Sequence, residues 1–349
     1  MHVAIDITPL HTGHKDRGVG TYTKLLIEAL QKYERKHSYS FFTRGQKVSD
    51  SVDLVHYPYF DPFFLTLPLL KPKPTVVTVH DLIPLVFPDK FPSGIKGFLK
   101  WQLQKFSLKS AKRIIAVSEQ SKMDIHQFGR FPNDSIDVIL SAPAPIFEVM
   151  PNKKKLEKMK RKYKLPDRFV LYVGDVNWNK NIIGMLKAFS IVKSLKSKVT
   201  LVLAGKAFND RSLTEVKEIN DLIHSLKITK DVRKLGFVPD VDLVGIYNLA
   251  TVYVQPSFYE GFGLPVLEAM ACGCPVVCSY ASSLKEIGGP AISVDPNDFN
   301  NIASGIIDVL NLTDDERIKL QRDGLAWAKR FHWKIVAAQT VASYEKALA

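Results

Sequence analysis

Two carboxylates eight residues apart, Glu260 and Glu268, bracket a glycine-bearing stretch: Ser257-Phe258-Tyr259-Glu260-Gly261-Phe262-Gly263-Leu264-Pro265-Val266-Leu267-Glu268-Ala269-Met270-Ala271-Cys272-Gly273. Residues 252–255 before it are β-rich. Pro265 fits the first position of a helix, where its missing N–H costs nothing, and Gly273 fits the residue just past the end. Residues 275–278 read as a further buried strand. The unit is strand, glycine loop, helix, strand, with Glu260 in the loop and Glu268 in the first turns of the helix. Glycines let a ligand approach the backbone, and a helix N-terminus offers free N–H groups and a positive dipole end. This suits a ligand with an anionic centre and hydroxyls on both sides, as in a nucleotide sugar. A bare pair of glutamates at this spacing also fits a solvated face with glycines that only make turns.

Other residues invite chemistry. His80-Asp81 follows Val76-Val77-Thr78-Val79. A lone histidine at a strand end is usually structural, but a His-Asp pair at a strand's C-terminal end stands where α/β proteins bind ligands. Lys180 closes a polar loop after residues 171–173. Arg17-Gly18-Val19-Gly20 follows the first strand, with the next helix expected from about Thr21. As a dinucleotide fingerprint it lacks the third glycine and an acid at the end of the next strand. Asp240-Val241-Asp242 reads as a short acidic turn.

The elements that position these residues alternate. Strands are expected at 3–7, 39–43, 54–57, 76–80, 113–117 and 137–140, then at 169–173, 200–204, 232–236, 252–255, 276–279 and 292–294, with helical stretches between. Two similar sets imply an α/β class with parallel sheets in two Rossmann-like domains. The boundaries are 1–150 and 151–330, since Pro143 and Pro145 block a further element, with a helical segment 331–349 after the break at Phe331-His332-Trp333.

A chain of 349 residues with 46% apolar content suits two middling cores. Residues 2–7 read as a strand rather than a secretory leader, and no apolar run reaches membrane-spanning length. Cys272, Cys274 and Cys278 lack a fourth ligand and paired spacing, so they read as buried thiols of a reducing cytosol, with no metal site. The net charge of +13 asks for an anionic partner or keeps the surface soluble. The basic run 153–164 has little aromatic interleaving and reads as a solvated face, not a nucleic-acid site.

From Lys90 to Arg113 the chain carries six lysines and no acid. On a helical wheel Ile95, Phe98, Leu99, Leu103 and Phe106 share one face, expected to be the core side. Trp101 and Leu108 fall opposite, beside Lys105 and Lys112. An outward Trp among lysines is an interfacial pattern that fits an anionic membrane surface; Trp101 packed under a neighbouring loop is the alternative.

The segment from Ser257 to Val277 closely resembles the signature of the retaining family-four glycosyltransferases of the GT-B fold. The Val-His-Asp at 79–81, the glycine pair Gly18 and Gly20 and the segments 203–206 and 235–239 are similar too, so the resemblance covers essentially the whole chain. It implies two facing Rossmann-like domains, an acceptor side in 1–150 and a nucleotide-sugar side in 151–330, with the last helix crossing back to the first domain. It implies that Glu260 faces the transferred sugar, that Glu268 takes the ribose hydroxyls, and that the N–H groups of Phe262, Gly263 and Leu264 lie near the diphosphate. His80 would stand at the reaction centre, and Lys180 and the Gly18–Gly20 segment beside the diphosphate. The acceptor would attack from the leaving-group face, and the departing diphosphate would take its proton, with no metal or other cofactor. Relatives carry an Arg as well as a Lys near Lys180, where this chain has Asp175 and Asn179; Arg17, with Lys15, is the candidate replacement. The segments at 79–85 and 235–240 resemble mannosyltransferase-like members. The expected function is therefore metal-independent transfer of a hexose, best GDP-mannose to a glycan or lipid-linked acceptor, by a cytoplasmic protein peripheral to the membrane. A nucleotide-sugar epimerase, a phosphorylase and a non-catalytic nucleotide-sugar-binding module are the alternatives.

Overall fold

The computed structural model describes residues 1–13, 15, 18–196 and 198–349. The chain divides into two compact units, Met1–Ala142 with Phe331–Ala349, and Pro143–Arg330. The first holds strands β1 (His2–Asp6), β2 (Ser38–Phe42), β3 (Leu54–Tyr57), β4 (Thr75–Val79), β5 (Arg113–Ala116) and β6 (Ile136–Val138), in the order β2-β1-β3-β4-β5-β6. The second holds β7 (Phe169–Val173), β8 (Thr200–Ala204), β9 (Val232–Gly236), β10 (Val252–Gln255), β11 (Val276–Ser279) and β12 (Ile292–Val294), in the order β12-β11-β10-β7-β8-β9. Every pairing is parallel. Parallel strands covered by helices on both faces read as continuous apolar runs, and β4 and β10 are buried throughout. All twelve expected strands form, within two residues of the expected ends. Two Rossmann-like sheets and a returning C-terminal helix make this a GT-B fold.

That last helix, Trp333–Leu348, packs on the helix Gly18–Tyr33, and Trp333, Val336 and Tyr344 share a core cluster with Tyr22 and Leu26. Asp137, at β6, pins it: its carboxylate accepts from Ser343 Oγ and Lys346 Nζ, both at 2.7 Å, and from Arg113 at 3.0 and 2.7 Å. Burial pushes this carboxyl up, but these donors outweigh it and hold it at about 2.

Two local expectations are corrected. The first helix begins at Gly18, not near Thr21, so Gly18 and Gly20 lie in its first turn; Thr23 Oγ1 donates to the Val19 carbonyl at 2.9 Å and ties that turn down. Arg17 lies outside the described residues. The second correction is larger. The helix Gly94–Lys109 buries Gly97, Trp101, Gln104, Ser107 and Leu108, while Ile95, Phe98, Leu99, Leu103 and Phe106 are exposed. The expected core face points outward, and Trp101, only 8% exposed, points inward. The cause is the neighbouring loop, whose Thr66 and Leu67 backbone amides need an acceptor: Gln104 Oε1 takes both at 2.9 Å. A buried backbone group without a partner is costlier than a buried, satisfied glutamine.

Candidate functional site

In the second unit the polypeptide after β10 turns sharply into the helix Leu264–Ala271. Gly263 sits before it with φ +104°, and an added Cβ there would lie 2.6 Å from Leu284 Cδ2. Both facts require glycine. Pro265 takes the second helical position rather than the first, and Gly273 ends the helix with φ +73°. The loop is held from outside by two serines. Ser282 Oγ accepts from the Glu260 N–H at 2.8 Å, and Ser283 Oγ contacts the carbonyls of Glu260 and Phe262, each at 2.9 Å.

Glu260 is buried, and its carboxylate is fully engaged. Oε1 accepts from Ser257 Oγ at 2.7 Å, Gln255 Nε2 at 2.8 Å and Lys180 Nζ at 2.9 Å; Oε2 accepts from Lys180 Nζ at 2.7 Å. Tyr253 donates to Gln255 Oε1 at 2.7 Å, which orients the amide. The sequence signal for these helpers was alternation: Tyr253 and Gln255 lie on one face of β10, aimed at its C-terminal end.

Lys180 ends a short 3₁₀ turn, Trp178–Lys180. Asn181, at φ +56°, caps the following helix and donates to the carbonyls of Pro256 and Pro296 at 3.0 and 2.7 Å. Asn179 is buried: its Nδ2 donates to the Tyr259 carbonyl at 2.9 Å and its carbonyl accepts from the Phe258 N–H at 2.8 Å. Trp178 and Phe258 stack with centroids 4.9 Å apart. The two loops are therefore stitched together, which brings Lys180 to Glu260 across 80 residues of sequence. Among the described residues the carboxylate at ion-pair distance from Lys180 is Glu260, not Asp175, which instead caps the Val176 N–H at 2.8 Å.

Glu268, on the helix, accepts from the Tyr247 hydroxyl at 3.0 Å. Burial pushes its carboxyl up to about 8, and the tyrosine only partly offsets this. At neutral pH the group holds its proton, and hydroxyl donors bound to its oxygens would favour the ionised form, with the proton released to solvent. Thus Glu260, Lys180, Glu268, Phe262, Gly263 and Leu264 all belong to the second unit.

His80, Gly18 and Gly20 belong to the first. His80 Nε2 donates to the Pro58 carbonyl at 2.9 Å, which leaves Nδ1 as the acceptor. Burial lowers its pKa to about 4, so the imidazole is neutral. The Tyr22 ring meets its edge at 4.7 Å and in turn packs on Trp333 at 5.8 Å, so the returning helix supports the histidine. A second histidine, His56, is fully buried between Tyr344 OH at 2.7 Å and Thr78 Oγ1 at 2.9 Å.

Residues 153–324 match the family described as glycosyl transferases group 1, and residues 37–141 match glycosyltransferase family 4. The chain is 35% identical over 309 residues to O-antigen chain mannosyltransferase B of Escherichia coli, covering 84% of this chain and 75% of that one. The chain belongs to the GT-B glycosyltransferases. It also matches the serotype-specific mannosyltransferase WbdA of Escherichia coli at 30% identity over 79% of its own length, but spans only 34% of that protein. Among solved structures, Anabaena HepE in complex with UDP-glucose superposes with a TM-score of 0.76 at 18% identity, covering 99% of each chain. The sucrose-phosphate synthase of Thermosynechococcus elongatus superposes with a TM-score of 0.75 at 18% identity, over 99% of this chain and 98% of that one.

In this glycosyltransferase Asp240 and Asp242 lie in the first turn of the helix Asp240–Leu249, where Asp242 accepts from Tyr163 OH at 2.7 Å and pairs with Lys162. Cys272, Cys274 and Cys278 are buried free thiols. Among the described residues no group of three or more His, Cys, Asp or Glu is placed to hold a metal ion.

Proposed function

We propose that this glycosyltransferase moves mannose from GDP-mannose to a growing glycan or a lipid-linked sugar, with retention of configuration and without a metal. The observation that carries the reading is Glu260, a buried carboxylate oriented by Ser257, Gln255 and Lys180 in the loop before the helix Leu264–Ala271. The names of its relatives support mannose: O-antigen chain mannosyltransferase B, and the MMP alpha-(1->4)-mannosyltransferase of Mycolicibacterium hassiacum, 40% identical over 37% of this chain.

In this reading Glu268 accepts from the ribose hydroxyls, and the amides of Phe262, Gly263 and Leu264 with Lys180 take the diphosphate. By the family resemblance, Gly18, Gly20 and Arg17 are further candidates for holding the diphosphate. The bond from the anomeric carbon to the phosphate oxygen breaks. A bond to the acceptor oxygen forms on the same face, and the acceptor proton goes to the leaving diphosphate. Glu260 orients the hexose, and His80, neutral with Nδ1 as an acceptor, is by the family resemblance the group at the reaction centre. Rate comes from positioning and from stabilising charge on the leaving group. Buried reduced cysteines suit the cytoplasm.

The test is a panel of nucleotide sugars scored for thermal stabilisation and slow donor hydrolysis, with excess chelator in one arm. GDP-mannose should give the largest shift and the fastest hydrolysis, unchanged by chelator. A larger response to a UDP-hexose would overturn the donor, and strict dependence on Mg or Mn would overturn the metal-free mechanism. Glu260→Ala with normal turnover would overturn the site.

A further inference from the structure

Nine of the 22 large apolar side chains exposed among the described residues fall within residues 64–106. Five form a stripe on the helix Gly94–Lys109: Ile95, Phe98, Leu99, Leu103 and Phe106, with Ile95 82% exposed. Four stand on the loop between β3 and β4: Phe64, Leu65, Leu69 and Leu70, the last 87% exposed. The two groups are one surface, because the loop is bolted to the helix. Gln104, fully buried, accepts from the Thr66 and Leu67 amides at 2.9 Å and donates to the Leu67 carbonyl at 3.1 Å. Ser107 Oγ donates to the Pro68 carbonyl at 2.6 Å, and Lys71 Nζ reaches Ser107 Oγ at 2.6 Å and Ser110 Oγ at 2.8 Å. The Lys100 ammonium lies 5.3 Å from the Phe64 ring centroid, which joins the loop to the edge of the stripe.

Charge decides what covers this surface. Projected at 100° per residue, Lys96 and Lys100 border the stripe on one side and Lys105 on the other, with Lys109 at its C-terminal end. Lys105 stands 5.4 Å over the Trp101 ring. No Asp or Glu occurs from Lys90 to Arg113. A second copy of the chain would set these lysines against their own kind. A lipid bilayer with anionic headgroups offers an apolar interior to the stripe and negative charge to the lysines, whose stems reach outward from an embedded face.

We infer that the 94–109 helix and the 64–70 loop together form a docking face for an anionic membrane, with Ile95, Phe98, Phe106 and Leu70 dipping below the headgroups and Lys96, Lys100, Lys105 and Lys109 held at their level. No helix of the described residues is long and apolar enough to cross a membrane, so the contact is interfacial. The face is tied together by hydrogen bonds and points outward, whereas Trp101 serves the protein interior. This inference stands on the surface itself and does not depend on the identity of the donor.

The experiment is co-sedimentation of the full chain with vesicles of phosphatidylcholine alone and of phosphatidylcholine mixed with phosphatidylglycerol. Binding should require the anionic lipid and weaken as salt rises. The double change Phe98→Ser with Phe106→Ser should reduce binding by about tenfold or more, with GDP binding and melting temperature kept, because both side chains are exposed. Lys96→Gln should reduce it by about fivefold. Absence of binding to either vesicle overturns the inference. So does binding that the double variant leaves intact. A wild-type dimer that the double variant converts to monomer, with no vesicle binding in either, assigns the face to a second copy instead. Retained GDP binding in the double variant separates a failure of docking from a failure of the transferase reading.

Discussion

The Lys180–Glu260 pair sets up a competition that can be measured. Lys180 is held by both oxygens of Glu260, at 2.9 and 2.7 Å. A diphosphate that uses Lys180 must draw it partly off that carboxylate. Glu260→Gln keeps the shape and leaves one oxygen to accept from Ser257 and Gln255, but it removes the charge. A hydrogen bond to a charged partner is worth about 1.5–3 kcal/mol. The Lys180 side chain is 22% exposed, and solvent screening takes roughly a third of the smaller figure, leaving about 1 kcal/mol. GDP should therefore bind about fivefold tighter to Glu260→Gln than to the wild type, although transfer is lost. GDP carries no hexose, so losing the carboxylate costs nothing on the sugar side. Calorimetric titration with GDP reads the effect, and a cycle with Lys180→Met isolates it: the double variant should bind GDP no tighter than Lys180→Met alone. Unchanged or weaker GDP binding in a folded Glu260→Gln protein would refute the reasoning and remove Lys180 from the diphosphate site.

Glu268 has its pKa raised from 4.5 to about 8, so between those values the native state holds a proton that the unfolded state has lost, and stability falls as pH rises through that window. Glu268→Gln should flatten this fall in urea titrations at pH 5 and pH 8; identical slopes in the two proteins would contradict it. At pH 7 GDP binding should release a proton, detected as an enthalpy that varies with the buffer. Gly263→Ala, with φ +104° and a Cβ 2.6 Å from Leu284 Cδ2, should destabilise by about 2–4 kcal/mol, whereas Gly273→Ala, whose nearest contact is Val149 at 3.5 Å, should lose only about 1–2 kcal/mol of backbone strain; equal losses in chemical denaturation would show that crowding at Leu284 is relieved. Tyr344→Phe strands the buried His56 Nδ1, now 2.7 Å from the hydroxyl, and should cost about 1–3 kcal/mol, read as a lower denaturation midpoint; an unchanged midpoint would mean that His56 finds another partner.

The amino-acid sequence by itself determined the twelve strands and the loop that carries Glu260. Both are local signals: apolar runs bounded by turn residues, and a glycine-proline pattern whose backbone demands are met within a few residues. It also placed Glu268 on its helix and His80 at the end of β4. What surrounds these groups was decided by tertiary structure. Lys180 meets Glu260 only because Asn179 and Asn181 stitch two loops 80 residues apart. His80 is neutral, with its proton on Nε2, because Pro58 accepts it and Tyr22 covers the ring. Neither partner is encoded near the histidine. The clearest case is the helix Gly94–Lys109, whose apolar stripe has the periodicity of a core face and yet faces outward. Periodicity tells which residues share a face, not what that face meets. Here the inward side had to satisfy the bare backbone of residues 66–68, so Gln104 and Ser107 went in, and the phenylalanines and leucines were left facing outward.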